Sequence, residues 1–320
     1  MNRLRMAILA AASLLLGGCA LFRPAEPTKL QMFTVAAKEG DFLAGAAVVD
    51  ITPESNFDMG GYAIGRDATG VHDPLYARAL VLKRGEHEQI LVAVDLVGLF
   101  RPFIKEVVAE VPNINPERVI IASTHNHSSP DSMGIWGTPP IRSGLNDAFM
   151  QKVKRGILQS IADARAALRP AEVGWTTVPI DPTEFIKNVN RKGLVDPEIA
   201  VLHLRDQGGG ATIAVLTELG CHPEVVPEKN TLVSADYPGY TVHALEDEFG
   251  GVGIYVSGDL GALVSPVRHM GDHHAGVYWE AAKRIGDRLA EYTAFGVHSI
   301  EHYEKSPRLA VYHTPIYLKT

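Results

Sequence analysis

From Ala44 onward the chain alternates apolar, β-branched runs with amphipathic stretches, and this alternation restricts it to strands interleaved with helices. The expected fold is α/β: a mixed β-sheet with flanking helices and catalytic loops at the strand ends. Strands are predicted near Ala44–Asp50, Ala77–Lys83, Ile90–Leu96, Arg118–Ser123, Ala171–Val178, Ile199–Arg205, Thr212–Leu219, Gly253–Val256 and Leu309–Leu318. The clearest helix runs from Asp147 to Leu168. There Phe149, Val153, Ile157, Ile161, Ala164 and Leu168 recur at spacings of three or four, Asn146 can cap, and Pro170 follows. Shorter helices fit Arg101–Val111, Tyr240–Phe249 and Tyr278–Tyr292. No internal repeat or low-complexity tract interrupts this order, and 320 residues suffice for one large domain or two small ones.

The N-terminus has the layout of an export signal. Arg3 and Arg5 precede an apolar run from Met6 to Leu16, which leads into Leu16-Gly17-Gly18-Cys19. The run is about half the roughly 20 residues that a transmembrane helix needs. Residues 1–19 are therefore expected to be a lipoprotein signal peptide ending in a lipobox, with Cys19 acylated, and residues 20–43 a tether. The corresponding location is exported, as a periplasmic or cell-surface lipoprotein held in a membrane. Cys19 and Cys221 are the two cysteines, so acylation of Cys19 leaves no internal disulfide. Thirty basic against 37 acidic residues give a net charge of −7 with no long run of either sign, which argues against a nucleic-acid partner.

The chemistry is expected in the irregular stretches rich in Gly, Pro, His and Asp that adjoin the strands. The strongest signal is Ser123-Thr124-His125-Asn126-His127-Ser128-Ser129-Pro130, directly after Val119-Ile120-Ile121-Ala122. Histidines at i and i+2 on an extended segment face opposite ways, so both reach one ion only if the backbone bends at the strand end. The simpler arrangement gives one to a metal and the other to substrate. Cys221-His222-Pro223 adds an imidazole at an equivalent strand end, although a lone His there is as readily a hydrogen-bonded structural residue. Ser265 closes the glycine-bearing loop from Ser257 to Pro266, where it is either a turn residue or a presented hydroxyl. His269, Asp272, His273 and His274 have the residue types for a second metal site, or for a solvated loop.

Several of these loops together resemble one family, the neutral/alkaline ceramidases and their bacterial relatives. The resemblance spans most of residues 44–266. Its fragments are Gly45 through Pro53, Gly70 through Ala79, the His125 to Pro130 loop, Asn190-Arg191, Cys221-His222-Pro223, Ser234 through Tyr240, and Gly258 through Pro266. It implies a hydrolase that cleaves the amide bond of an N-acyl lipid such as ceramide, or a related N-acyl compound, with Zn2+ as cofactor. It further implies that His125 and His222 are zinc ligands, that His127 faces the substrate, that Ser265 fills the family's essential serine position, and that Arg191 binds substrate.

Two features depart from the family pattern. Its histidine pair is usually separated by Thr and followed by Ser-Gly-Pro, where this chain has Asn126 and Ser128-Ser129-Pro130. The family's remaining zinc ligands, a glutamate and a tyrosine, lie beyond the matched region, as does its immunoglobulin-like C-terminal domain, which is not expected in this chain. Asp236, Glu224 and His72 are the replacement candidates. The ceramidase-like catalytic domain is thus expected over 44–320, either truncated at its C-terminal end, completed by other ligands, or holding the ion weakly or not at all. The rival readings are a metallohydrolase of another ester or a cyclic amide, and a non-catalytic envelope protein of the same fold.

Overall fold

A computed structural model describes residues 40–54, 57–137, 143–261, 264–266 and 277–310. The signal peptide, nearly all of the tether, the His269–His274 cluster and the expected last strand from residue 311 onward lie outside the described residues.

In chain order the elements are β1 (Phe42–Asp50), β2 (Gly70–Val71), β3 (Tyr76–Arg84), β4 (His87–Val94), α1 (Arg101–Ala109) and β5 (Val119–Ser123). They continue with α2 (Asp147–Ala166), β6 (Arg169–Pro179), α3 (Pro182–Phe185), β7 (Ile186–Asn188), β8 (Glu198–Asp206) and β9 (Thr212–Leu219). The last are β10 (Leu232–Val233), α4 (Asp236–Phe249), β11 (Val252–Ser257), β12 (Val264–Pro266) and α5 (Val277–Ser299).

Eight strands form one mixed sheet in the order β11-β9-β8-β6-β1-β3-β4-β5. Its central pairs are antiparallel, and the outermost pair at each end, β11 with β9 and β4 with β5, is parallel. Small side chains let the sheet curl about its concave face. Ala44, Ala93, Ala171 and Ala214 pack there with Phe42, Leu80, Leu204 and Ile254, drawn from strands across the whole sheet. The curl brings the two edges together: the buried Arg78 of β3 donates to the Gly253 carbonyl of β11 at 3.1 Å, and Ser257 Oγ donates to the Thr124 carbonyl at 2.7 Å.

Helices cover the outer face. In β1 the alternate residues face outward, and Gly45 lies against α2 so closely that a Cβ would stand 2.2 Å from the Ala164 carbonyl oxygen. Around this contact Val153, Ile157 and Ile161 of α2 pack on Ala77, Ala79 and Val81 of β3. At the other end α4 and α5 cover β8, β9 and β11 through Val242, Leu245, Ala282, Ile285 and Leu289 against Ile199, Val201, Val215 and Tyr255. α2 begins as its sequence predicts, with Asn146 Oδ1 accepting from Phe149 N at 3.0 Å.

Two helices extend beyond their sequence signals. α4 starts at Asp236 rather than Tyr240, because Ser234 Oγ accepts from Asp236 N at 2.9 Å and Pro238 sits in the first turn, which needs no intrahelical N–H bond. α5 continues past Tyr292 to Ser299 because Thr293, Ala294 and Val297 prolong the buried face with side chains too small or too polar to read as a periodic stripe.

Candidate metal centre

β5 and β9 lie far apart in the sheet order, yet the curl sets their C-terminal ends side by side, and each delivers histidine. After β5, Thr124 N donates to the Val94 carbonyl and His125 N to the Leu96 carbonyl, both at 2.9 Å. His125 then takes a left-handed conformation at φ +65°, uncommon for a residue with a Cβ and a place where strain of order 1–3 kcal/mol is stored. That residue breaks the strand alternation and turns both His125 and His127 toward one point. After β9, His222 N donates to the Val264 carbonyl at 2.9 Å.

The three imidazoles therefore meet. Ring centroids are 5.1 Å apart for His125 and His127, 5.0 Å for His125 and His222, and 5.7 Å for His127 and His222. One ligand nitrogen from each lies within 4.8 Å of the others, which makes the three rings a group able to hold a metal ion. The hydrogen bonds behind two of them select the required tautomer. His125 Nδ1 faces the Val97 carbonyl, and His222 Nδ1 faces the Val264 carbonyl at 2.9 Å. A carbonyl only accepts, so each Nδ1 carries the proton and each Nε2 keeps its lone pair for a ligand bond. Burial, with His222 nearby, lowers the His125 pKa, the Val97 carbonyl and Glu224 opposing, and this keeps the ring neutral as ligation demands.

Beside the cluster, Ser265 Oγ donates to Glu224 Oε1, and Glu224 Oε2 lies 3.7 Å from His127 Nδ1. Pairing of β7 with β12 sets Ser265 opposite Lys187. A cavity of about 590 Å³ opens here, lined by Tyr62, Lys187, Val189, Glu224 and Ser265 among others. Arg191 is exposed on the loop after β7, its N–H donating to Asn188 Oδ1 at 2.6 Å, and the cavity wall is formed by its neighbours Lys187 and Val189.

Of the candidates for a further ligand, Glu224 adjoins the cluster through His127 and Ser265. His72 instead stacks on Trp279 at 3.7 Å and pairs with Asp73 at 2.8 Å. Asp236 is turned to the backbone, Oδ2 accepting from Val226 N at 2.9 Å and Oδ1 from Tyr237 N at 2.6 Å.

The loop from Gly60 to Arg66 carries residues with no motif to announce them. Buried Arg66 donates through Nη2 to the carbonyls of Gly60 at 2.6 Å and His127 at 2.5 Å, and burial lowers its pKa to about 10. Gly61, at φ +98°, backs directly onto His127, where a Cβ would lie 2.6 Å from its Cα. Tyr62 meets the His127 ring edge-on at 4.9 Å and donates to the Val226 carbonyl at 2.8 Å.

The chain is similar to the neutral ceramidase of Mycobacterium tuberculosis (strain ATCC 25618 / H37Rv), 25% identical over 229 residues, which are 65% of this chain and 36% of that protein. Its fold is similar to the crystal structure of neutral ceramidase from Pseudomonas aeruginosa, with a TM-score of 0.72 and 21% identity over 83% of this chain and 46% of that one. A structure of ceramidase complexed with C2 matches with the same TM-score and identity. The chain thus spans less than half the length of these relatives. The family model described as neutral/alkaline non-lysosomal ceramidase, N-terminal, matches residues 42–265, and the chain belongs to that family.

Proposed function

We propose that this chain carries the zinc centre of an amide hydrolase acting on an N-acyl lipid such as ceramide or a related N-acyl compound. The observation that carries the reading is the convergence of three strand-end imidazoles, two with their Nδ1 atoms capped by carbonyls, beside a cavity that presents a serine. His125 and His222 would hold the ion through Nε2. Zinc at such a site supplies Lewis-acid polarisation of a carbonyl and a lowered pKa for water.

The chain's own groups supply the rest. His127, oriented by Glu224 on its Nδ1 side and by Arg66 on its backbone carbonyl, is set to pass a proton to the departing amine nitrogen. Ser265 presents its hydroxyl oxygen on the cavity wall to the reacting carbonyl carbon, and Glu224, which accepts the hydroxyl proton, fixes its rotamer. Arg191, on the loop that forms the Lys187 wall, serves substrate at the mouth. Upstream, we propose that Cys19 is acylated after export and anchors the chain in a membrane; incorporation of labelled palmitate that survives Cys19→Ser would sink that part.

The deciding experiment measures zinc content and hydrolysis of a fluorogenic N-acyl amide in wild type, His125→Ala and His222→Ala, with folding followed by circular dichroism. About one zinc per wild-type chain, lost with activity in both folded variants, is the expected result. Two ions per chain would favour a binuclear metallohydrolase of another bond. A folded wild type that binds no zinc and cleaves nothing would point to the non-catalytic reading.

A further inference from the structure

We propose that residues 186–195, comprising β7 and the loop after it, dock onto an anionic lipid surface and present the mouth of the cavity to it. Val189 and Leu194 are 58% and 55% exposed on this loop. They stand among Lys187, Arg191 and Lys192, with no acidic residue between Ile186 and Val195. Among the described residues none of these three cations has an ion-pair partner, whereas the acid that precedes the loop, Glu184, is taken by Arg288 at 2.8 Å. The next acid along the chain, Asp196, is exposed and follows the cation-bearing stretch.

The exposure is built rather than loose. Buried Asn188 is the hub of the loop: Oδ1 accepts from Asn190 N at 3.0 Å and Arg191 N at 2.6 Å, and Nδ2 donates to the Leu194 carbonyl at 2.8 Å. This clamp turns the aliphatic side chains outward. Aliphatic groups held in water beside unpaired cations match the chemistry of a bilayer interface, where the apolar groups enter the acyl boundary and the cations meet phosphate. An acidic protein surface would satisfy the cations but not the aliphatic pair.

The position links the surface to the site. Lys187 and Val189 line the cavity, and Lys187 is the strand partner of Ser265. Tyr62, which also lines the cavity, is joined to Trp136, whose indole donates to the Tyr62 carbonyl at 2.7 Å, and the sequence neighbours Ile64 and Ile135 are each 51% exposed. The inference rests on the lipid-amide reading only for the use of such a surface, since a substrate with long acyl chains resides in the bilayer.

The test uses the full chain with Cys19→Ser, which removes any acyl anchor, and Leu194→Cys labelled with the environment-sensitive fluorophore NBD; buried Cys221 is shielded from the label. Vesicles containing phosphatidylglycerol are expected to blue-shift and brighten the emission, and vesicles of phosphatidylcholine alone to do so far less. Adding Lys192→Glu to the labelled chain should raise the lipid concentration at half-maximal signal about tenfold or more, as should molar salt. A probe at Gly209→Cys, in the turn before β9 and so at the opposite end of that strand from His222, should not respond. No response at Leu194→Cys, an equal response to neutral vesicles, or an equal response at Gly209→Cys would overturn the proposal. Hydrolysis takes no part in the signal, so a failure of the amidase reading would leave this result intact and distinguishable.

Discussion

His125 determines whether a His-x-His pair can act as one unit. The parity of an extended segment predicts rings on opposite faces, and the single left-handed residue at φ +65° turns both inward. Glu224 has a comparable role for the hydroxyl. Glu224→Ala removes the acceptor of Ser265 and the neighbour of His127 together. We expect kcat to fall roughly 10- to 100-fold with KM little changed and zinc content retained, and Glu224→Asp to recover part of the loss. Loss of zinc in Glu224→Ala would instead make it a ligand. Gly61→Ala brings a Cβ to 2.6 Å from His127 Cα at a backbone angle that L residues avoid. It should cost roughly 1–3 kcal/mol in thermal or urea unfolding and lower activity more than stability predicts, because the strain falls on His127. The histidines themselves were legible because each follows an apolar run. Arg66, Gly61 and Tyr62 were not, since they act through backbone carbonyls and close approach, which leave no spacing to read.

Among the elements, the long strands and α2 were readable because alternation and 3.6-residue periodicity persist over many residues in them. The two-residue and three-residue strands β2, β7, β10 and β12 carry no such signal, although β7 with β12 is what sets Ser265 opposite Lys187. The joint between β1 and α2 is also invisible in the pattern, since glycine contributes nothing to an apolar stripe. Gly45→Ala places a methyl 2.2 Å from the Ala164 carbonyl oxygen, and nothing but backbone can move to accommodate it. A loss of about 1–3 kcal/mol in urea unfolding is expected, with zinc binding preserved in the folded fraction. A variant as stable as wild type would show that α2 rides more loosely on the sheet.

Across the whole molecule, two buried groups give opposite pH dependences to stability. His203, with Tyr303 Oη at 2.6 Å from Nδ1 and Thr212 Oγ1 at 3.1 Å from Nε2, has its pKa lowered to about 4, chiefly by burial and then by Arg205 and His298. The unfolded chain takes up this proton first, so its contribution is present above about pH 6.5 and is lost as pH falls toward 4. Asp95, where Oδ2 accepts from Tyr76 N at 2.9 Å, has its pKa raised to about 6 by burial, with Arg78 opposing. The folded state holds that proton longer, so its contribution is present below about pH 4 and is lost as pH rises to 6. Relative to wild type, His203→Gln should therefore tilt the stability profile downward with rising pH between 4 and 6, and Asp95→Asn should tilt it upward. Urea unfolding across that range tests both, and a common direction of tilt would refute the assignment.

By itself the sequence determined the strand and helix alternation, the apolar faces, and the strand-end positions of the catalytic candidates, because each depends on periodicities within a few residues. The meeting of His125 and His127 with His222, and of Ser265 with Glu224, was decided only by the tertiary structure. The reason is physical: β5 and β9 are remote in strand order, and what joins their ends is the curl of an eight-stranded sheet around a concave core of alanines, summed over strands that no local pattern connects.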